Sequence, residues 1–157
     1  MKTLIESYIT QFSQLFDGDP WVGESFTAKL GNLSPEEAFH QPFGKLHSAA
    51  EVVAHIIAWR NEELRRLATG GERRLHMESP ENWPSNESLR QKGWQHLYDE
   101  LKESQRRLIA FLKEIDDAFL LKKTNREGHI GEYFIAGLLQ HDWYHLGQIG
   151  IILKGNL

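Results

Sequence analysis

Apolar residues recur at steps of three and four along almost the whole chain, and no sustained two-residue alternation interrupts them. Side chains three and four apart share one face of a helix, whereas side chains two apart share one face of a strand. The pattern therefore restricts the chain to helices packed on helices. The first segment covers roughly residues 2–17, starting near Lys2, with Ile5, Tyr8, Ile9, Phe12, Leu15 and Phe16 on its inner side. Asp17-Gly18-Asp19-Pro20 ends it. Residues 21–43 read as a connection with short helical pieces. One of these starts at Ser34-Pro35-Glu36-Glu37, which offers an N-cap serine and proline at the first helical position.

The second long helix opens on Ser48-Ala49-Ala50-Glu51, a capping box in which serine and glutamate satisfy each other's free amides. It is expected to reach Thr69, where Gly70-Gly71 stops it. A polar loop with Pro80, Trp83 and Pro84 follows. The third helix is expected over residues 86–115, with Trp94, Leu97, Leu101, Ser104, Leu108, Phe111 and Ile115 as its core seam. After a loop over residues 116–128, a fourth helix covers residues 129–154. These segments predict an all-α protein, a four-helix bundle forming a single domain over residues 1–157.

Length and composition agree with one core: 157 residues, 40% hydrophobic, a quarter charged. The net charge of −4 argues against nucleic acid or an anionic membrane as partner. The basic pairs Arg65-Arg66, Arg73-Arg74 and Arg106-Arg107 all have acidic neighbours, as on a solvated mixed surface. Without cysteine, disulfides, thiolate ligands and a cysteine nucleophile are excluded. No apolar run approaches the ~18 residues of a membrane span, and the N-terminal MKTLIESYITQF has no signal-peptide core. The expectation is a cytoplasmic protein.

On the fourth helix, Phe134, Leu138, His141, His145, Gln148 and Ile152 form one stripe. Two imidazoles and an amide thus interrupt a seam that should be apolar, which costs stability unless they are bonded. Histidines at i and i+4 bring two ring nitrogens close enough to share a metal ion. Such a pair also arises by chance where eight histidines sit in 157 residues, and is then a pair of hydrogen-bonded core residues. A third ligand must come from upstream of His145, from His55, His47, Glu51, His96, His129, His40 or His76. His55 lies mid-helix, but the apolar stripe of Val53, Ile57 and Leu64 is on the opposite side. It shares its face with Glu51, Trp59, Glu62 and Arg66, which reads equally as the wall of a polar cleft or as a partly exposed surface.

Two metal patterns fail. His141-Asp142-Trp143-Tyr144-His145 is similar to the zinc-protease H-E-x-x-H, but aspartate displaces the general base and no downstream ligand follows. A di-iron bundle needs two Glu-x-x-His motifs, and only Glu37-Ala38-Phe39-His40 is present, outside the long helices. No phosphate-binding glycine loop or nucleophile elbow occurs.

The segment from His47 to Ile56, the pair Trp83-Pro84, and His141-Asp142-Trp143-Tyr144-His145-Leu146-Gly147-Gln148-Ile149 resemble the DinB/YfiT-like superfamily. The resemblance implies a bundle with an up-down-down-up course and a metal site of three histidines, here His55, His141 and His145, with water completing it. Zinc or nickel is the implied occupant. Relatives include thiol S-transferases using low-molecular-weight thiols and proteins described as metal-dependent hydrolases, so a small-molecule substrate and a homodimer are implied as well. Three neutral ligands would leave the metal cationic and open, able to deprotonate a bound thiol or water. Asp142 is a candidate for orienting a ligand histidine, Gln148 for holding water or substrate, and Glu62 for a base near His55. Glu51 reads as part of the capping box, while Tyr144 and Trp59 could line the cleft. The competing functions are a metal-dependent enzyme, a non-catalytic metal- or small-ligand-binding module, and an interaction protein with merely hydrogen-bonded histidines.

Overall fold

The computed structural model describes residues 3–44, 46–124 and 128–155. Its elements are α1 (Thr3–Asp17), α2 (Phe26–Leu30), α3 (Pro35–Phe39), a 3-10 turn (Pro42–Gly44), α4 (Ala49–Thr69), α5 (Asn86–Lys92), α6 (Trp94–Glu114), α7 (Asp117–Leu121) and α8 (Gly131–Lys154). The chain is all-α, with no named strand among the described residues. The expected helix start at Lys2 and residues 125–127 of the expected loop lie outside the described residues.

Local signals placed most helix ends. Ser48 forms the expected capping box with Glu51, and Ser34, expected only as an N-cap, forms one with Glu37 as well. Gly70 ends α4 in the left-handed region at φ +62°, which glycine adopts without steric penalty, and its amide donates to the Arg66 carbonyl.

The expected third helix is in fact two. Gly93, at φ +90° and ψ 144°, breaks it between α5 and α6, because a residue with no Cβ holds this extended left-handed conformation cheaply where a helix would need φ near −63°. The seam of α6 follows the expectation from Trp94 to Leu108. It then turns inward at Leu112, leaving Phe111 and Ile115 half-buried. The expected loop 116–128 contains α7, whose Asp116 caps its own first turn. Asp117 accepts the Leu4 and Ile5 amides from the start of α1. One short helix thereby satisfies free amides of another.

Helix α4 packs against both α6 and α8, and α1 packs against the same two. Covered on several sides, α4 is buried nearly all round from Ala49 to Ile57, so the side read from periodicity as a polar cleft or exposed face is interior. Contacts between residues 55 and 145, 60 and 142, and 66 and 134 show that α4 and α8 run antiparallel.

The deepest stripe of α8 is Ile135, Leu139, Asp142, Leu146 and Ile149, beside the histidine stripe. Its one charged member faces Arg60 of α4. Both side chains are 0% exposed, with Arg60 Nε and Nη2 donating to Asp142 Oδ2 at 3.0 and 2.7 Å. Arg60 Nη1 donates to Ser104 Oγ on α6 at 3.1 Å, and the guanidinium lies about 6 Å from the rings of Phe16 and Phe26. Removing one partner of such a pair strands a charge in a low-dielectric interior. Asp142→Leu should therefore lower unfolding free energy by about 3–5 kcal/mol, and Arg60→Met/Asp142→Leu should recover most of that loss. Urea unfolding of the two variants measures both, and equal destabilisation of single and double variants would show that the ion pair is not what the single substitution breaks.

Candidate metal centre

His55, at the middle of α4, and His141 and His145, one turn apart on α8, point their Nε2 atoms at one another. His141 Nε2 stands 3.1 Å from His55 Nε2 and 3.0 Å from His145 Nε2. All three ligand atoms lie within 4.8 Å of each other. His55 and His145 are 5% and 3% exposed, whereas His141 is half-buried.

The outer ring nitrogens decide what the inner ones can do. A backbone carbonyl only accepts, so His55 Nδ1 carries its hydrogen and donates to the Asn82 carbonyl at 2.8 Å. His145 Nδ1 donates to Gln148 Oε1 at 2.7 Å, while Gln148 Nε2 donates to the Tyr144 hydroxyl at 2.9 Å. In neutral imidazoles held this way, both Nε2 atoms are bare lone pairs aimed at His141. His141 Nε2 has at most one hydrogen to share between them, and its Nδ1 is buried with no hydrogen-bond partner among the described residues.

This donor set fits a divalent cation. Nitrogens held ~2.0–2.2 Å from one ion at angles between right and tetrahedral stand roughly 2.8–3.6 Å apart, which spans both measured separations. Fixing Nδ1–H on a carbonyl or amide oxygen is also how metal-bound histidines are usually oriented. Burial pushes His55 down from 6.5 to about 4, opposed by the Asn82 carbonyl and aided by His141. Burial, followed by the charge of His141, brings His145 to about 4. Both are thus neutral ligands at ordinary pH.

The structure reassigns several expected roles. Gln148, expected to hold water or substrate, has its amide oxygen committed to orienting His145. Asp142, expected to orient a ligand histidine, is held by Arg60, and its Oδ1 lies 3.9 Å from His141 Nδ1, beyond hydrogen-bond reach. Glu62 is buried away from the three-nitrogen cluster. Burial alone would raise its carboxyl, but the Arg65 side chain and the Arg74 amide outweigh it and hold it below its ordinary value. Glu51 closes the capping box and also accepts from Gln41. Trp59 lies beside the site, its centroid 6.3 Å from those of His55 and His141. Of the other upstream histidines, His96 faces Glu100, His129 stacks on Tyr133, and His40, His47 and His76 are exposed.

Sequence reasoning missed Asn82 altogether. It is fully buried, its carbonyl orients His55, its Oδ1 accepts Trp59 Nε1 at 2.8 Å and its Nδ2 donates to the Met77 carbonyl. The one signal was its place beside Trp83-Pro84. Trp83 itself is stacked between His47 and His55, 3.9 Å from each ring centroid.

In this all-α protein three histidines from two antiparallel helices converge on one point, a donor set of the kind that binds metal ions. The family model of the DinB superfamily matches residues 21–149, and the chain belongs to that superfamily. No curated protein and no solved structure gives a significant match.

Two outcomes follow for this centre. Gln148→Ala should weaken zinc binding by about 10–100-fold, and His55→Ala or His145→Ala by more, in competition with a chromogenic chelator. Metal-free protein should lose stability as pH falls from 6.5 to about 4. In that window the unfolded histidines take up protons that folded His55 and His145 refuse. Urea midpoints across that window measure the effect, and a His55→Gln/His145→Gln variant should show a flatter profile.

Proposed function

We propose that this chain is a metal-dependent enzyme acting on small molecules, of the thiol S-transferase or hydrolase type, with His55, His141 and His145 holding one divalent ion. The observation that carries the reading is the pair of bare Nε2 lone pairs, fixed by Asn82 and Gln148, converging on a half-buried third histidine. Zinc is the proposed occupant and nickel the alternative, since imidazole suits both. Three neutral ligands with no carboxylate among them would leave the ion fully cationic, so that it lowers the pKa of a bound thiol or water.

The chain's own residues would contribute position and exclusion. His55 and His145 are locked by their outer hydrogen bonds. His141 is the ligand nearest solvent, and a cleft of about 360 Å³ lined by His141 and Trp59 is where substrate would enter. Asp142 would keep α8 in register through Arg60, Gln148 would hold His145, and Glu62 would act through the loop it pins at Arg74. The proposal extends to a four-helix bundle of α1, α4, α6 and α8 in one domain over residues 1–157. The up-down-down-up course is supported by the antiparallel α4 and α8 and by the long stretch of residues 70–93 that separates α4 from α6. A cytoplasmic homodimer is the proposed setting. No helix among the described residues is long and apolar enough to cross a membrane.

A second reading is a non-catalytic metal- or small-ligand-binding protein. It is favoured by the stacking of Trp83 on His55 and the Asn82 contact, through which a metal would tie the loop after α4 to both helices. Zinc-loaded protein incubated with thiols and electrophiles, followed by mass spectrometry, separates the two. The enzyme reading expects product formation that His145→Ala abolishes. Equal rates for wild type and His145→Ala would end it, and a large loss of thermal stability on metal removal without turnover would favour the binding reading.

A further inference from the structure

The cleft beside His141 has a charged end that the metal reading does not use. Arg73, on the loop after α4, places its guanidinium 5.7 Å from the ring centroid of Trp59. It makes no hydrogen bond among the described residues. The nearest acid in the cleft, Glu63, gives both carboxylate oxygens to Arg66 Nη1, at 3.1 and 2.9 Å. Glu62, the next acid along α4, is taken by Arg65 and the Arg74 amide. A planar fork of five donors, coupled to Glu63 through its charge alone, is thus presented at the cleft with no acceptor among the described residues, a geometry that matches a carboxylate.

Two further features shape the space between Arg73 and His141. The Trp59 indole is fixed by its bond to Asn82 Oδ1, making a rigid flat wall. Gly137 lies on the opposite wall, in the interior of α8, where a glycine costs about 1 kcal/mol relative to alanine. A Cβ there would meet no atom within 4 Å, so packing gives no reason for the glycine. What its missing side chain leaves open is the cleft itself, floored by Phe134 and Leu138.

We infer that the substrate is a small molecule with a flat or apolar body and a carboxylate, the carboxylate on Arg73, the body between Trp59 and Gly137, and the reacting end at His141. This rests on the metal reading above only for the last of these placements. The test uses phenylacetate and phenylacetamide as probes, which share a body and differ in charge. Binding is followed by calorimetry and Trp fluorescence on zinc-free and zinc-loaded protein, with zinc content measured separately.

In zinc-free wild type the acid should bind about tenfold tighter than the amide, a preference that cannot come from metal coordination. Arg73→Gln should erase that preference without changing zinc affinity. Gly137→Leu should abolish binding of both probes, leave zinc content unchanged and not lower stability, since glycine is itself the less favourable residue in a helix interior. Equal affinity for acid and amide in the zinc-free protein, no binding of either at millimolar concentration, or a preference surviving Arg73→Gln would each overturn the inference. Failure of zinc to bind with the preference intact would remove the metal reading and leave the carboxylate site standing.

Discussion

The Arg60–Asp142 ion pair lies where five helices meet. Its guanidinium on α4 reaches the carboxylate of α8 and the serine of α6, and rests near a phenylalanine from each of α1 and α2. A fully buried ion pair contributes little net stability, because desolvation offsets most of the attraction. Its effect is on alternatives. Any slip of α8 by one turn against α4 would leave a bare carboxylate in an apolar stripe. Asp142 follows His141 directly, and Arg60 lies five residues beyond His55, so the register that satisfies the charges is also the one that brings the three imidazoles together.

Within that frame the site is assembled from the outside inward. Each deep histidine has its Nδ1–H anchored, one on a loop carbonyl and one on a side-chain amide of its own helix. Those anchors set the tautomers and leave lone pairs facing a space from which water is largely excluded. Burial suppresses protonation of His55 and His145 there and keeps their lone pairs free, which is the state a divalent ion would need. His141 lacks an anchor and is the most exposed, which places the open side of the centre toward the cleft carrying Trp59, Gly137 and Arg73. The rigid and adaptable parts of the site are therefore separate. Two histidines are fixed, and the third faces the cleft.

Much of the fold was legible because its signals are local. The N-cap at Ser34, the capping box at Ser48, the stop at Gly70 and the three-four periodicity of α1, α4, α6 and α8 depend on neighbours within a turn or two, and the structure keeps all of them. Gly93 was equally local, but a single glycine in a continuing apolar period does not by itself distinguish a tolerated residue from a break. The histidine pair was legible as a pair for the same reason, since its spacing is a property of one helix.

The tertiary structure alone decided what periodicity could not. A helical wheel ranks the faces of one helix but does not count how many neighbours cover them, so His55 read as facing a polar side until α8 and the loop at Asn82 and Trp83 enclosed that side. Asp142 read as a candidate for orienting a ligand histidine, whereas its partner lies 82 residues earlier in Arg60. Asn82 carried almost no signal, because a carbonyl that orients a ligand is present at every residue and only the path of the chain selects one. The sequence by itself determined the long helical segments and the spacing of His141 and His145, and its family resemblance named His55 beside them. The convergence of the three nitrogens, the anchoring of His55 and the cleft beside them came from packing, because they depend on residues far apart in the chain that only the antiparallel contact of α4 and α8 brings within a few ångströms.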